Sequence, residues 1–190
     1  MAAVALAVLS VTVAAPTHAA TPSAAKPLHA SSAVAPATRA EIPEAYRYVI
    51  HNVGSPVGTG LGIGPVPLIY PPIDVPVRYL SGGFVERWVV KPVGNGLYTI
   101  IAGQGRPAEP GHPGDYALVE RGNDVFVSAT KQPGQWAIEP ARGGKWTIGV
   151  PDSDRVITLN EGGDFPQVVL APRDGSVAQL WDSVPVPGLD

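Results

Sequence analysis

The side chains in this chain that could do covalent chemistry are few and badly grouped for it. Its four histidines are His18, His29, His51 and His112, and no two have the close helical spacing of a metal-binding pair. There is no cysteine, which removes thiol nucleophiles, thiolate zinc sites and disulfides. No Gly-x-Ser-x-Gly elbow presents a serine, and the glycines of residues 60–64 are not followed by a helical pattern on which a phosphate could sit. The chain therefore reads as a non-enzyme, with no catalytic residue, no cofactor and no metal site.

What the residues do offer is a chemistry of presentation. Residues 64–75 read Gly-Pro-Val-Pro-Leu-Ile-Tyr-Pro-Pro-Ile-Asp-Val. Each proline fixes its own φ and pushes the residue before it into extended backbone. The result is a stiff, apolar segment with Val66, Pro67, Leu68, Ile69 and Tyr70 around its tip. A segment that is already rigid loses little entropy on entering another protein's groove. A second proline-rich stretch, residues 104–115, is polar, carries Arg106 and His112, and reads as a plain solvent loop.

Bulk properties narrow the partners. A net charge of -3 and a pI near 5.8 argue against a phosphate-backbone binder, which presents a basic face. With 22 glycines, 22 prolines and 15% charged residues, the composition suits short strands and rigid turns rather than helices. Residues 1–15 are an apolar Ala/Val/Leu run leading to the small residues Ala19 and Ala20, which reads as a signal peptide over 1–20 and hence a secreted protein. The run is too short for a comfortable membrane span. Residues 21–43 are rich in Ala, Ser and Pro and read as a disordered spacer, leaving 44–190 as the folded domain.

The elements that hold the two stretches are set by an internal repeat. Trp88, Trp136 and Trp181 each begin the pattern Trp, three residues, Pro, small aliphatic, at steps of 48 and 45 residues. A second series, Tyr48-Val49-Ile50, Tyr98-Thr99-Ile100 and Trp146-Thr147-Ile148, advances by 50 and 48. Two independent landmarks with one period define three units, at about 46–93, 94–141 and 142–186. Each unit has room for two further strands between its landmarks: 57–63 and 76–80 in the first, 116–121 and 124–129 in the second, 154–160 and 167–171 in the third. Gly122-Asn123 marks a tight hairpin in the second unit, and residues 161–164 join the pair in the third.

Twelve short strands in three units are too few for a propeller, which takes about 4–8 blades, and predict an all-β trefoil. The repeated tryptophans belong in its core, and the proline four residues after each is expected to end its strand. The repeat breaks in two places, at 64–75 between the second and third strands of the first unit and at 103–115 in the second. Function is to be sought where the repeat breaks.

In Tyr48-Val49-Ile50-His51-Asn52, the Pro76-Val77 strand before Glu86-Arg87-Trp88-Val89-Val90, and the closing Gln179-Leu180-Trp181, the chain resembles the fungal β-trefoil serine-protease inhibitors of the cospin type, over roughly residues 46–186. The resemblance implies a substrate-like inhibitory loop in the first repeat between strands two and three. Residues 64–75 contain no Lys or Arg, and Arg106 is followed by Pro107. The implied partner is thus a chymotrypsin-, subtilisin- or elastase-like serine protease, with Leu68 or Ile69 in its primary pocket. Cysteine-protease inhibition, as in the mycocypin trefoils, is a lesser reading. The alternative from another class is a ricin-type carbohydrate-binding trefoil. Its Gln-x-Trp signature occurs once, at Gln179 and Trp181, with Glu86 and Gly134 at the other two positions and Asp152, Asp154 and Asn160 as candidate sugar ligands.

Overall fold

The structure is a computed structural model that describes residues 47–162 and 166–186. The signal peptide and spacer expected over 1–20 and 21–43, with Tyr46 and Asp164, lie outside the described residues.

The first repeat comprises β1 (Arg47–Asn52), β2 (Thr59–Gly62), β3 (Val75–Pro76), β4 (Arg78–Ser81) and β5 (Trp88–Gly94). The second comprises β6 (Leu97–Ala102), β7 (Ala117–Arg121), β8 (Asp124–Ser128) and β9 (Trp136–Pro140). The third comprises β10 (Trp146–Gly149), β11 (Arg155–Asn160), β12 (Gln167–Pro172) and β13 (Trp181–Val186). Strand β1 pairs with β13 and β5, β5 with β6, β6 with β9, β9 with β10, and β10 with β13. That circuit returns to its start, so the six landmark-bearing strands close a barrel, which removes their free edges. The other strands form the hairpins β2–β4, β7–β8 and β11–β12, and single pairings of β12 with β4 and with β8 join the hairpins into a cap. This is the β-trefoil that the repeat predicts.

Thirteen strands appear among the described residues rather than twelve, because the strand expected at 76–80 is split at Val77. Val75 and Pro76 pair with Val127 and Phe126 of β8, and the Val77 amide donates to the Val125 carbonyl at 2.9 Å. One residue later the chain changes partner, and Arg78–Ser81 pairs with β2.

The tryptophans sit where the period places them. Trp88, Trp136 and Trp181 are 0%, 1% and 1% exposed. Their indole N–H groups donate to the carbonyls of Leu61 (3.2 Å), Leu118 (3.4 Å) and Ile157 (2.9 Å). Each acceptor lies on the second strand of the same repeat. Every indole therefore fills the core and ties its barrel strand to its hairpin, satisfying the donor that burial would otherwise strand.

The prolines correct one expectation. Pro140 does end β9, but Pro92 and Pro185 lie inside β5 and β13. Past Val89, β5 pairs with β6 alone, and past Trp181, β13 pairs with β1 alone. A strand with one neighbour has a row of amides that need no ladder partner, and proline is tolerated there. The register also slips between Pro92 and Gly94.

Candidate functional site

The two excursions from the repeat lie side by side. In the first, Val66 is half-buried and packed against the core, while Pro67 is exposed. Beyond them Leu68 is fully exposed, at 105%, with Tyr70 at 79% and Ile69 at 48%. The Ile69 amide donates to the Pro67 carbonyl at 3.0 Å, which closes a three-residue turn with Leu68 at its apex. The Tyr70–Pro71 peptide is cis.

The far end of this excursion is fastened to the second repeat. Lys131 Nζ donates to the Asp74 carboxylate, and the next two residues enter the ladder against β8. Burial by itself would raise the Asp74 carboxyl, but hydrogen bonds from Lys131 and Ser128 and the charge of Lys131 outweigh it and hold the group below its ordinary value of 3.8.

The second excursion is organised by one carboxylate. Asp115 Oδ2 accepts the amides of Gln104 and Arg106, both at 3.0 Å, and Oδ1 accepts Arg106 Nη2 at 3.1 Å. Burial opposes ionisation of Asp115 as well, and the bonds from Arg106 and Gln104 again prevail, so its carboxyl sits below 3.8. Glu109 and His112 exchange backbone bonds of 3.0 and 2.9 Å across Pro110-Gly111, and Gln132 Nε2 donates to the Ala108 carbonyl at 3.2 Å. A Cβ at Gly114 would stand 2.4 to 2.5 Å from backbone atoms of Arg106, Pro107 and Ala108, so the loop can close only over a glycine. Most of the stretch is exposed, as its polarity suggests, and it is fastened through Asp115, Ala108 and Gly114.

Tyr70, Pro71 and Pro72 line a cleft of about 200 Å³ together with Glu109, His112, Pro113 and Thr130. The structure therefore brings His112 to the apolar tip. Arg106 is folded back on Asp115 and does not line the cleft.

Both depressed carboxyls predict the same pH response. A carboxyl whose folded pKa lies below its unfolded value stabilises the fold above the unfolded value, near 3.9. That contribution disappears as pH falls through the folded value. Unfolding free energy should therefore be flat above about pH 5 and fall below about pH 4, and Asp74→Asn or Asp115→Asn should each flatten the acid limb. Urea titrations of the three proteins between pH 2.5 and 7 check this.

The remaining sequence candidates do not join this surface. His51 Nδ1 lies 2.9 Å from the Thr59 carbonyl and 3.0 Å from the Tyr79 hydroxyl. A carbonyl only accepts, so Nδ1 carries the proton. Among the described residues no group of three His, Asp or Glu is placed to hold a metal ion. Asp152 and Asp154 are exposed on the turn before β11, and Asn160 Oδ1 accepts the Gly162 amide at 3.1 Å.

Gln179, half of the sugar-binding signature, is fully buried, at 0%. Its Oε1 accepts the amides of Asp174 (2.8 Å) and Gly175 (3.2 Å), and its Nε2 donates to the Pro172 carbonyl at 2.8 Å and to Thr158 Oγ1 at 3.3 Å. Every hydrogen-bonding position of the amide is used by the fold itself. Asn52, buried at 1%, similarly donates to the carbonyls of Val177, Ala178 and Leu180. Gln179→Ala should cost about 2 kcal/mol, the scale for leaving buried partners unpaired, as a lower urea midpoint with an unchanged slope. In the sequence Gln179 stands out only as half of a sugar-binding signature, and Asn52, Asp74 and Asp115 carry no structural role. Asp74 was detectable as the one charge in an apolar excursion, and Asp115 as an acid at the base of a polar one.

These features define the class of the protein: it is a β-trefoil. Similar solved structures include a designed 3-fold symmetric protein, ThreeFoil, at 17% identity and a TM-score of 0.56, covering 73% of this chain and 97% of that one. They include the BEL β-trefoil in an apo crystal form, at 16% identity and 0.54, covering 79% and 100%. A third is the Polyporus squamosus lectin bound to a human-type influenza-binding epitope, at 17% identity and 0.53, covering 75% of this chain and 50% of the lectin. None of the three is described as a protease inhibitor, and at these identities the likeness is one of fold. No protein-family model and no curated protein sequence matches the chain.

Proposed function

We propose that this is a secreted inhibitor of serine endopeptidases, acting through the rigid, substrate-like segment 66–70 against a chymotrypsin-, subtilisin- or elastase-like enzyme. The observation that carries this reading is the contrast within one short segment. Leu68 is fully exposed, while the flanks are fastened by Val66 in the core and by Asp74 on Lys131. An apolar side chain in water on a braced backbone has hydrophobic transfer energy still to gain and little entropy to lose, as a protein that fills another's pocket requires. Subtilisin, chymotrypsin, elastase and trypsin titrated with the protein should show stoichiometric loss of activity for at least one of the first three. Full activity of all four at micromolar inhibitor would sink the reading.

A second reading, carbohydrate binding, is favoured by one feature absent from the sequence argument. Phe84, 60% exposed, lines a groove of about 470 Å³ with Tyr79, Ser81, Leu159 and Glu161, which combines an aromatic platform with a carboxylate. Glycan-array binding that is lost in Phe84→Ala would place this reading first.

A further inference from the structure

Resting on the inhibitor reading, we propose that Leu68 alone, and not Ile69 or Tyr70, is the residue that enters the target's primary pocket. The Leu68–Ile69 peptide is then the bond presented to the enzyme, and the target is an enzyme with a deep apolar pocket. Three observations separate the candidates. Leu68 is the apex of the turn closed by the Ile69 amide and the Pro67 carbonyl, and its whole side chain is in water. Ile69 is half-covered, at 48% exposure, and its branch at Cβ lies against the backbone, so it is stiff and short in reach. Leucine branches one carbon further out and places its methyl groups deeper in a pocket. Tyr70 turns to the cleft it forms with His112 and Pro113, and Pro71 follows it.

The consequence is selectivity. An extended Leu side chain fits the hydrophobic slot of a chymotrypsin-like or subtilisin-like enzyme and is too long for the small pocket of an elastase. Because the tip is held by its flanks, exchanging the apex side chain should exchange the target while the fold stays the same.

The test uses two charge insertions and trypsin, whose primary pocket holds an aspartate. Leu68→Arg should gain trypsin inhibition by at least ~100-fold over the parent and lose chymotrypsin inhibition, while Ile69→Arg should gain none. A gain in Ile69→Arg would overturn the assignment, as would no gain in either variant while the parent still inhibits chymotrypsin or subtilisin. In both cases the inhibitor reading would survive. If the parent inhibits none of the panel and Leu68→Arg does not inhibit trypsin, the inhibitor reading fails as well. Far-ultraviolet circular dichroism and urea midpoints equal to the parent's show that each variant is folded, as the exposure of both residues leads one to expect.

Discussion

Leu68→Asp should weaken the proposed inhibition of a sensitive chymotrypsin- or subtilisin-like protease by about 100-fold or more, with no loss of fold stability. The two halves of this prediction have separate causes. In the free protein Leu68 touches water alone, at 105% exposure, so a carboxylate there removes no packing and leaves unfolding within about 0.5 kcal/mol of the parent. In the complex the leucine would be buried, a gain of about 1.5–3 kcal/mol for a side chain of that size. The aspartate forfeits that gain and must also shed water in an apolar pocket. A loss of about 2.7 kcal/mol is a factor of 100 in affinity, and an apex residue in a pocket is where such hot-spot losses concentrate. Inhibition constants and urea midpoints measured on the same preparations separate the two. Unchanged inhibition would move the binding surface away from the tip.

The largest effect on the fold falls on the repeat itself. Trp181→Ala should destabilise the trefoil by about 3–5 kcal/mol, the range for emptying a buried aromatic site, and lower Tm by roughly 10 °C or more. The side chain is 1% exposed, its N–H is bonded to the Ile157 carbonyl, and its ring meets that of Tyr79 edge to face at 6.2 Å. Trp88→Ala, at the equivalent place in the first repeat, should fall in the same range, whereas Trp146→Ala should cost clearly less because Trp146 is only half-buried. Thermal unfolding of the three variants decides it. Equal losses at all three positions would contradict the view that the Trp–Pro landmark marks the barrel–hairpin joint.

How much could be read from the sequence follows from how far apart the interacting residues are. The tryptophan period was legible because each indole repeats one local job, filling the core beside its own hairpin. The Gly122-Asn123 turn was legible because Arg121 and Asp124 pair directly across it. The split at Val77 was not, since it arises when one strand leaves β8 for β2, partners about 50 positions away and about 20 positions away along the chain. Pro92 and Pro185 misled for a related reason: whether a proline ends a strand depends on whether that strand has a second neighbour, which is a property of the closed barrel.

At the candidate site the position of the exposed apolar tip followed from the break in the repeat at residues 64–75. The fastening did not. Asp74 meets Lys131 across 57 positions, and the cleft unites Tyr70 with His112 because both excursions are fastened to the loop after β8, the first through Asp74 and Lys131 and the second through the Ala108 carbonyl and Gln132. Neither contact has a local signature. Asp115 shows the opposite limit. Its partners Gln104 and Arg106 are close in sequence, but a carboxylate that caps two amides reads, in a string of letters, like any acid beside a turn.

The central claim is that segment 66–70 occupies a serine protease's substrate cleft, and the most direct measurement is competition for that cleft. Binding of the protein to immobilised subtilisin or chymotrypsin is compared before and after the enzyme's primary pocket is filled with a tight peptide aldehyde. The account predicts stoichiometric binding to the open enzyme and loss of at least ~100-fold in affinity to the filled one. Equal affinity for open and filled enzyme, or no binding to either, would contradict it.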